Sequence, residues 1–206
     1  MSLVQHYFLL FIGAFIVQNI IFIRFIGLCP FFGVSSQVET SIGMSMAVTF
    51  VMTLASAASW LAWNYILVPF GVGEFLYIPV FILVIASLVQ FVEMFIKKVS
   101  PPLYKAMGIY LPLITTNCAV LAAATEVSKP GFLKLNMPYG YSFIEGVVYS
   151  VSVALGFGLA IIMMAAIRDR MKSSPVPRWL QGYPIVFVIA SLASLAFMGF
   201  AGLFGV

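Results

Sequence analysis

Charged residues are scarce in this sequence. Only 8% of the 206 residues are Asp, Glu, Lys or Arg, whereas 63% are hydrophobic. Soluble domains carry about 25% charged residues, so a water-soluble fold would have too few charges to cover its surface. The net charge of +4 comes from a few residues between apolar runs, which gives nucleic-acid binding no support. We therefore expect an integral membrane protein with little mass outside the lipid.

Histidine and cysteine are almost absent. The chain has one histidine, His6, close to its N-terminus, and two cysteines, Cys29 and Cys118. A Ser/His/Asp catalytic set and a membrane haem held by histidine are therefore excluded, and two cysteines make no disulfide framework. The sequence also lacks a phosphate-binding glycine loop and a dinucleotide fingerprint. Any redox chemistry must be based on thiolates or come from a partner.

Apolar runs fill most of the chain. Roughly 20 residues cross the hydrocarbon core of a bilayer, and stretches rich in Pro and Gly divide the sequence into runs of about that length. No positively charged region precedes the first run, so we expect it to be retained as a helix and not cleaved as a signal peptide. The predicted membrane segments are Leu3–Ile26, Ile42–Trp63, Leu76–Ile96, Met107–Ala124, Phe143–Ile167 and Tyr183–Phe204.

The positive charges predict an orientation. Lys and Arg residues concentrate in cytoplasmic loops, and with six segments both chain ends lie on the same side. Lys129 and Lys134 fall on one side of the predicted membrane, and the other eight cationic residues fall on the opposite side, which we assign to the cytoplasm. Both termini are then expected outside the cytoplasm. The eight are Arg24, Lys97, Lys98, Lys105, Arg168, Arg170, Lys172 and Arg178.

A short repeat indicates an internal duplication. The sequence Val-Ile-Ala-Ser-Leu occurs at 84–88 and again at 188–192, and a methionine follows each copy at the same distance. The two cysteines also fall in matching segments, the first and the fourth. Since each half has three segments, the second half must be inverted, which is a transporter architecture. We predict an all-α polytopic membrane protein with six transmembrane helices in one domain, 1–206, as inverted repeats of about 1–100 and 101–206.

Each cysteine lies where a membrane helix is expected to be interrupted. Pro30 disfavours helix at the residue before it, so the first helix should break at Cys29. Cys118 follows Pro112 and a polar run, another place for a broken or half helix. Non-helical backbone at membrane depth is tolerated only inside protein or beside a cavity, so free backbone amides could bond a sulfur there. Three alternatives stay open: two buried free thiols, a disulfide, or half of a four-thiolate metal site.

Few other polar residues fall within the segments. Glu93 lies one turn before Lys97, which predicts either an ion pair at the cytoplasmic interface or a stop on an ion path. Thr115, Thr116 and Asn117 could ligate a cation or bond across helices.

Seven short motifs are distributed over nearly the whole chain. They are Gly27–Phe31, Phe50–Ser56, Gln90–Met94, Leu111–Leu121, Ala166–Arg168, Val176–Pro177 and Leu195–Phe200. Together they resemble the A-type family of the Rnf complexes. Pro30 and the run Thr115–Cys118 favour this family over the related E subunit of the sodium-pumping NADH:quinone reductase. The stretch from Glu126 to Tyr141, which we place in an outer loop, departs most from the family pattern.

The resemblance implies a function. Rnf complexes pass electrons between ferredoxin and NAD and couple this transfer to the pumping of sodium ions or protons across the prokaryotic inner membrane. Their A and E subunits are homologous, oppositely oriented and jointly hold one [2Fe-2S] cluster inside the membrane. The matching ligands here are Cys29 and Cys118, with the E subunit supplying the other two thiolates. The resemblance also implies the B, C, D and G subunits as partners, with lipid around them.

Supporting roles follow from the same resemblance. We expect Gly27, Leu28 and Asn117 to support the cluster, and an ion path to involve Glu93, Thr115 and Thr116. The chain would be an enzyme only as part of a translocase, with no complete active site of its own. Three other functions stay open: the E subunit of the NADH:quinone reductase, a transporter whose cysteines are structural, or a scaffold that anchors redox partners.

Overall fold

The computed structural model of the chain describes residues 3–35, 37–71, 73–99, 117–128, 142–173, 177 and 179–203. Over these residues the regular structure is helical and no strand occurs, as the composition predicts. Two π-helical turns, Gly13–Val17 and Trp63–Leu67, follow α1 and α3 without a gap. The α-helices are α1 (Leu3–Ile12), α2 (Leu28–Val34), α3 (Val38–Ala62), α4 (Val68–Phe70), α5 (Gly73–Val99), α6 (Cys118–Ser128), α7 (Phe143–Met171) and α8 (Tyr183–Leu203).

Four stretches of helix are long and apolar enough to cross a membrane. They are Val38–Leu67, Leu76–Met94, Phe143–Met171 and Tyr183–Phe200, and they correspond to the second, third, fifth and sixth predicted segments. The first and fourth predicted segments are represented in the described residues by shorter apolar helices, Gln5–Val17 and Cys118–Ser128. The membrane class is thus supported, whereas six spans in two inverted repeats stay a prediction.

Local signals fix several helix ends. Glu145 accepts the backbone N–H of Ser142 at 3.0 Å, which is half of a capping box at the start of α7. Gly71 (φ 66°) follows α4 and Gly182 (φ 94°) precedes α8. Both residues have left-handed backbone conformations, which glycine adopts without the penalty of a Cβ atom. Gly71 therefore ends α4, and Gly182 allows the chain to turn before α8 begins.

The chain forms two compact units, one made of both ends of the sequence and the other made of its middle. The first unit contains Met1–Met46 and Ser152–Val206, and the second contains Ala47–Val151. Cys29 therefore belongs to the first unit and Cys118 to the second.

An aromatic cluster occupies the first unit around α2. Phe22 and Phe31 are fully buried, and their rings meet edge to face with centroids 5.9 Å apart. From α8, Phe197 packs on Phe22 at 4.7 Å and Phe187 packs on Phe32 at 4.3 Å. Because aromatic pairs add stability beyond the area that they bury, this cluster holds α2 against α8.

The second unit packs α6 against α5. The buried face of α6 is rich in small side chains, with Ala119, Ala123 and Ala124 at 0% exposure. Small residues let helix backbones approach closely in membrane proteins. Trp63 and Tyr77 both lie against Phe81, with ring centroids 6.3 Å away. The unit therefore combines a tight alanine contact with an aromatic contact.

Candidate metal-ligand sites at the two cysteines

Cys29 lies in the first turn of a short helix. Gly27, with φ 84°, is the left-handed residue before α2, and Leu28 and Cys29 open the helix. The predicted break at Cys29 is wrong in its position, because Cys29 is helical and the non-helical stretch is 18–27. Pro30 does not prevent this, since a proline fits the first turn of a helix, where its missing N–H has no partner to lose. The Cys29 thiol is free and exposed.

The non-helical stretch 18–27 is held by one buried asparagine. Asn19 is fully buried, and its amide donates to the carbonyl of Gly156 on α7 at 2.9 Å. Its side-chain oxygen accepts the backbone N–H groups of Ile21 at 3.1 Å and Phe22 at 3.3 Å. A buried backbone group without a partner is costly, so Asn19 replaces the hydrogen bonds that the interrupted helix gives up.

Close packing accompanies the asparagine. A Cβ atom added to Gly156 would come 2.7 Å from the carbonyl oxygen of Phe15, so α7 approaches the π-helical turn as closely as a glycine permits. On the other side, the Ser194 hydroxyl of α8 donates to the carbonyl of Phe22 at 2.6 Å. Within the stretch, Phe25 has φ 55°, which is unusual for a bulky residue. The path to Cys29 is therefore fixed by α7 and α8.

Arg168 fixes the other end of α2. Its guanidinium donates to the carbonyl of Phe32 at 3.2 Å and to the hydroxyl of Ser35 at 2.8 Å, and Ser35 is fully buried. The last carbonyls of a helix lack partners within the helix, and a cation there also interacts favourably with the helix dipole. Sequence reasoning treated Arg168 as one of the cytoplasmic charges and missed this role.

Cys118 begins α6 directly after a capping residue. The side-chain oxygen of Asn117 accepts the backbone N–H of Ala119 at 3.0 Å, which is the N-cap contact that asparagine favours. Asn117 is 3% exposed, and its amide nitrogen is buried without a hydrogen-bond partner in the described chain. The Cys118 thiol is free and exposed. In this chain, therefore, neither thiol is buried.

Glu126 is a buried carboxylate that sequence reasoning placed outside the membrane. The predicted segment ended at Ala124, but α6 continues to Ser128, and Glu126 within it is fully buried. An ionisable group at such a place in a membrane protein is a candidate functional residue. The signal in the sequence was its spacing of two helical turns from Cys118, with no Pro or Gly between them.

The remaining predicted residues are placed as follows. Gly27 and Leu28 adjoin Cys29, and Asn117 adjoins Cys118, so each supporting residue lies beside its cysteine. Glu93 lies on α5 and is partly exposed, whereas Thr115 and Thr116 lie outside the described residues. Within the described part of the chain, no group of three or more His, Cys, Asp or Glu residues is arranged to hold a metal ion.

Comparison with known proteins identifies the family. A family model with the description "Rnf-Nqr subunit, membrane protein" matches residues 7–204.

This chain belongs to the Rnf-Nqr family.

Named Rnf-Nqr relatives match the chain over nearly their full length. The A subunit of the ion-translocating oxidoreductase complex of Azoarcus sp. (strain BH72) is 51% identical over 199 residues, 97% of this chain and 98% of the relative. The corresponding protein of Serratia proteamaculans is 50% identical over 197 residues, 96% and 97% of the two chains. The A subunit of the Na(+)-translocating ferredoxin:NAD(+) oxidoreductase complex of Acetobacterium woodii is 51% identical over 192 residues, 93% and 95% of the two chains.

The match confirms the resemblance to Rnf A subunits and the membrane class of the Rnf-Nqr chain. By their names, these relatives are subunits of oxidoreductase complexes that translocate ions.

Proposed function

We propose that the chain is the A-type membrane subunit of a complex that transfers electrons between ferredoxin and NAD and pumps sodium ions or protons. The near-full-length identity of 51% to the A subunit from Acetobacterium woodii carries this proposal. The same proposal includes the prokaryotic inner membrane as its location, termini outside the cytoplasm, and assembly with the B, C, D, E and G subunits of the complex.

The chain contributes two thiolates to a shared cluster. Cys29 and Cys118 are two of the four ligands of a [2Fe-2S] cluster, and the homologous E subunit, inserted in the opposite orientation, contributes the other two. Clusters of this type are bound by cysteine thiolates. When bound, the cluster would supply a one-electron relay within the membrane.

The surroundings of each cysteine fit such a cluster. Both thiols are free and exposed, so thiolates of a partner can approach them. Each lies in the first turn of a helix, where the first backbone N–H groups have no acceptor one turn earlier in the helix. At α6 the N–H groups of Ala119 and Val120 are already bonded to Asn117. Beside Cys118, the buried amide nitrogen of Asn117 has no partner in the described residues. Gly27 and Leu28 set the start of α2 and so place Cys29.

The ion path is proposed to use oxygen ligands. Glu93, Thr115 and Thr116 are the residues predicted from the sequence, and Glu126 joins them because it is a fully buried carboxylate in α6. Hydroxyl and carboxylate oxygens are the groups that hold hard cations, and carboxylates also form proton relays in membrane proteins.

The decisive experiment is spectroscopic. The chain is purified with its E-type partner and examined by visible absorbance and by EPR after reduction. We expect iron–sulfur features in the wild type, their loss in Cys29→Ser and in Cys118→Ser, and their retention in Ser191→Ala, an exposed position on α8. The whole complex in vesicles should then take up an ion when ferredoxin and NAD are supplied, with and without sodium to identify the ion.

Two results would overturn the proposal. A colourless pair that assembles normally would favour a transporter with structural cysteines. Normal pumping by both cysteine variants within the whole complex would favour a scaffold that only anchors redox partners.

A further inference from the structure

Asn117 uses only half of its side chain within this protein. Its oxygen caps α6 by accepting the N–H of Ala119 at 3.0 Å. Its amide nitrogen is buried and has no hydrogen-bond partner in the described residues. Leaving a buried donor unpaired costs roughly 1–3 kcal/mol, and each such group in a native structure requires an explanation.

Capping alone does not explain the amide. Serine and aspartate cap helices about as well as asparagine, and neither would bury an unpaired NH₂ group. Asn19, the buried asparagine of the non-helical stretch 18–27 before Cys29, shows the contrast. Its amide donates to the carbonyl of Gly156 at 2.9 Å, so the buried donor in that motif is satisfied by the chain itself. The NH₂ group of Asn117, by contrast, has no acceptor among the described residues.

The position of the amide restricts what that acceptor is. The nitrogen shares a rigid plane with the capping oxygen, so it lies at the first turn of α6. Cys118 is the first residue of that turn, and its thiol is free and exposed. A group bound at the Cys118 sulfur would lie at the same turn of α6, and thiolate and sulfide sulfurs accept hydrogen bonds.

We propose that the Asn117 amide donates a hydrogen bond to a sulfur of the cluster that Cys118 ligates. This inference rests on the proposed function. Hydrogen bonds to the sulfurs tune the potential of iron–sulfur clusters, and a donor stabilises the more negative, reduced state. Asn117 thus raises the reduction potential of the cluster while its oxygen fixes the start of the helix that carries the ligand.

The test separates the two halves of the side chain. Asn117→Ser keeps a capping oxygen and removes the NH₂ group, and the potential of the cluster is measured by EPR-monitored redox titration of the purified pair. We expect the reduction potential of the cluster to be more negative in Asn117→Ser. A tenfold change in the ratio of oxidised to reduced cluster at a fixed potential corresponds to a shift of about 59 mV. Asn64→Ser is the matched control, because Asn64 is exposed and its amide donates to the carbonyl of Trp60, four residues earlier in the same helical stretch.

A second measurement reports the hydrogen bond directly and does not rely on the potential. Pulsed EPR on wild-type protein labelled with ¹⁵N-asparagine should show a nitrogen coupling to the reduced cluster, and Asn117→Ser should lose it. A cluster whose potential and nitrogen coupling are the same in wild type and Asn117→Ser overturns the inference and leaves the proposed function standing. A wild-type pair without any iron–sulfur signal overturns both.

Discussion

The two cysteines reach similar positions at helix starts by different means. Around Cys29, the chain is fixed by side-chain contacts to residues 137, 172 and 133 positions away, made by Asn19, Ser194 and Arg168. At Cys118, the contact that fixes the helix start is a cap between Asn117 and Ala119, only two positions apart. The position of Cys29 therefore depends on the packing of a whole unit, whereas the start of the Cys118 helix is determined by the residues on either side of Cys118.

This difference predicts different sensitivities. Substitutions far from Cys29 in sequence should disturb it, because its supports come from α7 and α8. Substitutions in the first unit should leave the cap of α6 intact, because that cap joins two residues that flank Cys118. Three variants of the first unit examine this contrast, and each has a control of the same residue type.

Asn19→Leu should have the largest effect. The variant leaves the buried N–H groups of Ile21 and Phe22 and the carbonyl of Gly156 without their present partner, at a cost of roughly 3–9 kcal/mol in total, since each such group costs about 1–3 kcal/mol. We expect little folded protein and a strongly lowered midpoint in thermal unfolding in detergent. Asn64→Leu, at an exposed position, should unfold near the wild-type temperature. Equal midpoints for the two variants would mean that Asn19 does not support the non-helical stretch.

Gly156→Ala should have the next largest effect. Its Cβ atom would lie 2.7 Å from the carbonyl oxygen of Phe15, so the backbones must separate, and overpacking of this kind costs about 1–3 kcal/mol. Gly43→Ala is the control in the same unit, because no atom lies within 4 Å of its added Cβ. Since alanine favours a helix interior over glycine, Gly43→Ala should be neutral or slightly stabilising. The comparison is made by thermal unfolding, and a reversed order of the two variants would contradict the close approach.

Arg168→Gln should have the smallest and most local effect. It removes charged hydrogen bonds to Phe32 and Ser35, worth about 2 kcal/mol in this partly buried setting. Hydrogen exchange measured by mass spectrometry should become faster in α2 and stay unchanged in α6, which serves as an internal reference. Arg170→Gln, at an exposed position two residues away, should change neither helix. Faster exchange in α6 alone would contradict the assignment of Arg168 to the Cys29 helix.

The long helices were predictable because their signals are local and repeated. Apolar runs of sufficient length, divided by Pro and Gly, place the second, third, fifth and sixth segments within a few residues of the observed helices. The break in the first segment was misplaced for a physical reason. The rule for Pro30 concerns one neighbour, whereas the observed break depends on Asn19 and its bond to a carbonyl on α7, which no local pattern contains.

The end of the fourth segment was misplaced by a rule about polarity. Polar residues after Ala124 predicted a loop, yet the hydroxyl of Thr125 bonds back to the carbonyls of Leu121 and Ala122, each at 2.9 Å. Ser128 bonds in the same way to Ala124. Their hydroxyls are thus satisfied within the helix, and α6 extends far enough to bury Glu126. Exposure of the two thiols was also not predictable, since it depends on what the surrounding helices cover.

The bond between Ser194 and Phe22 has a consequence for synthesis of the protein. Residue 22 leaves the ribosome long before residue 194. The stretch that leads to Cys29 therefore cannot form its hydrogen bond to Ser194 until nearly the whole chain has been made. A chain that stops short of α8 also lacks the two rings that hold Phe22 and Phe32. We therefore expect a chain truncated before α8 to hold the stretch that leads to Cys29 less firmly than the full chain does.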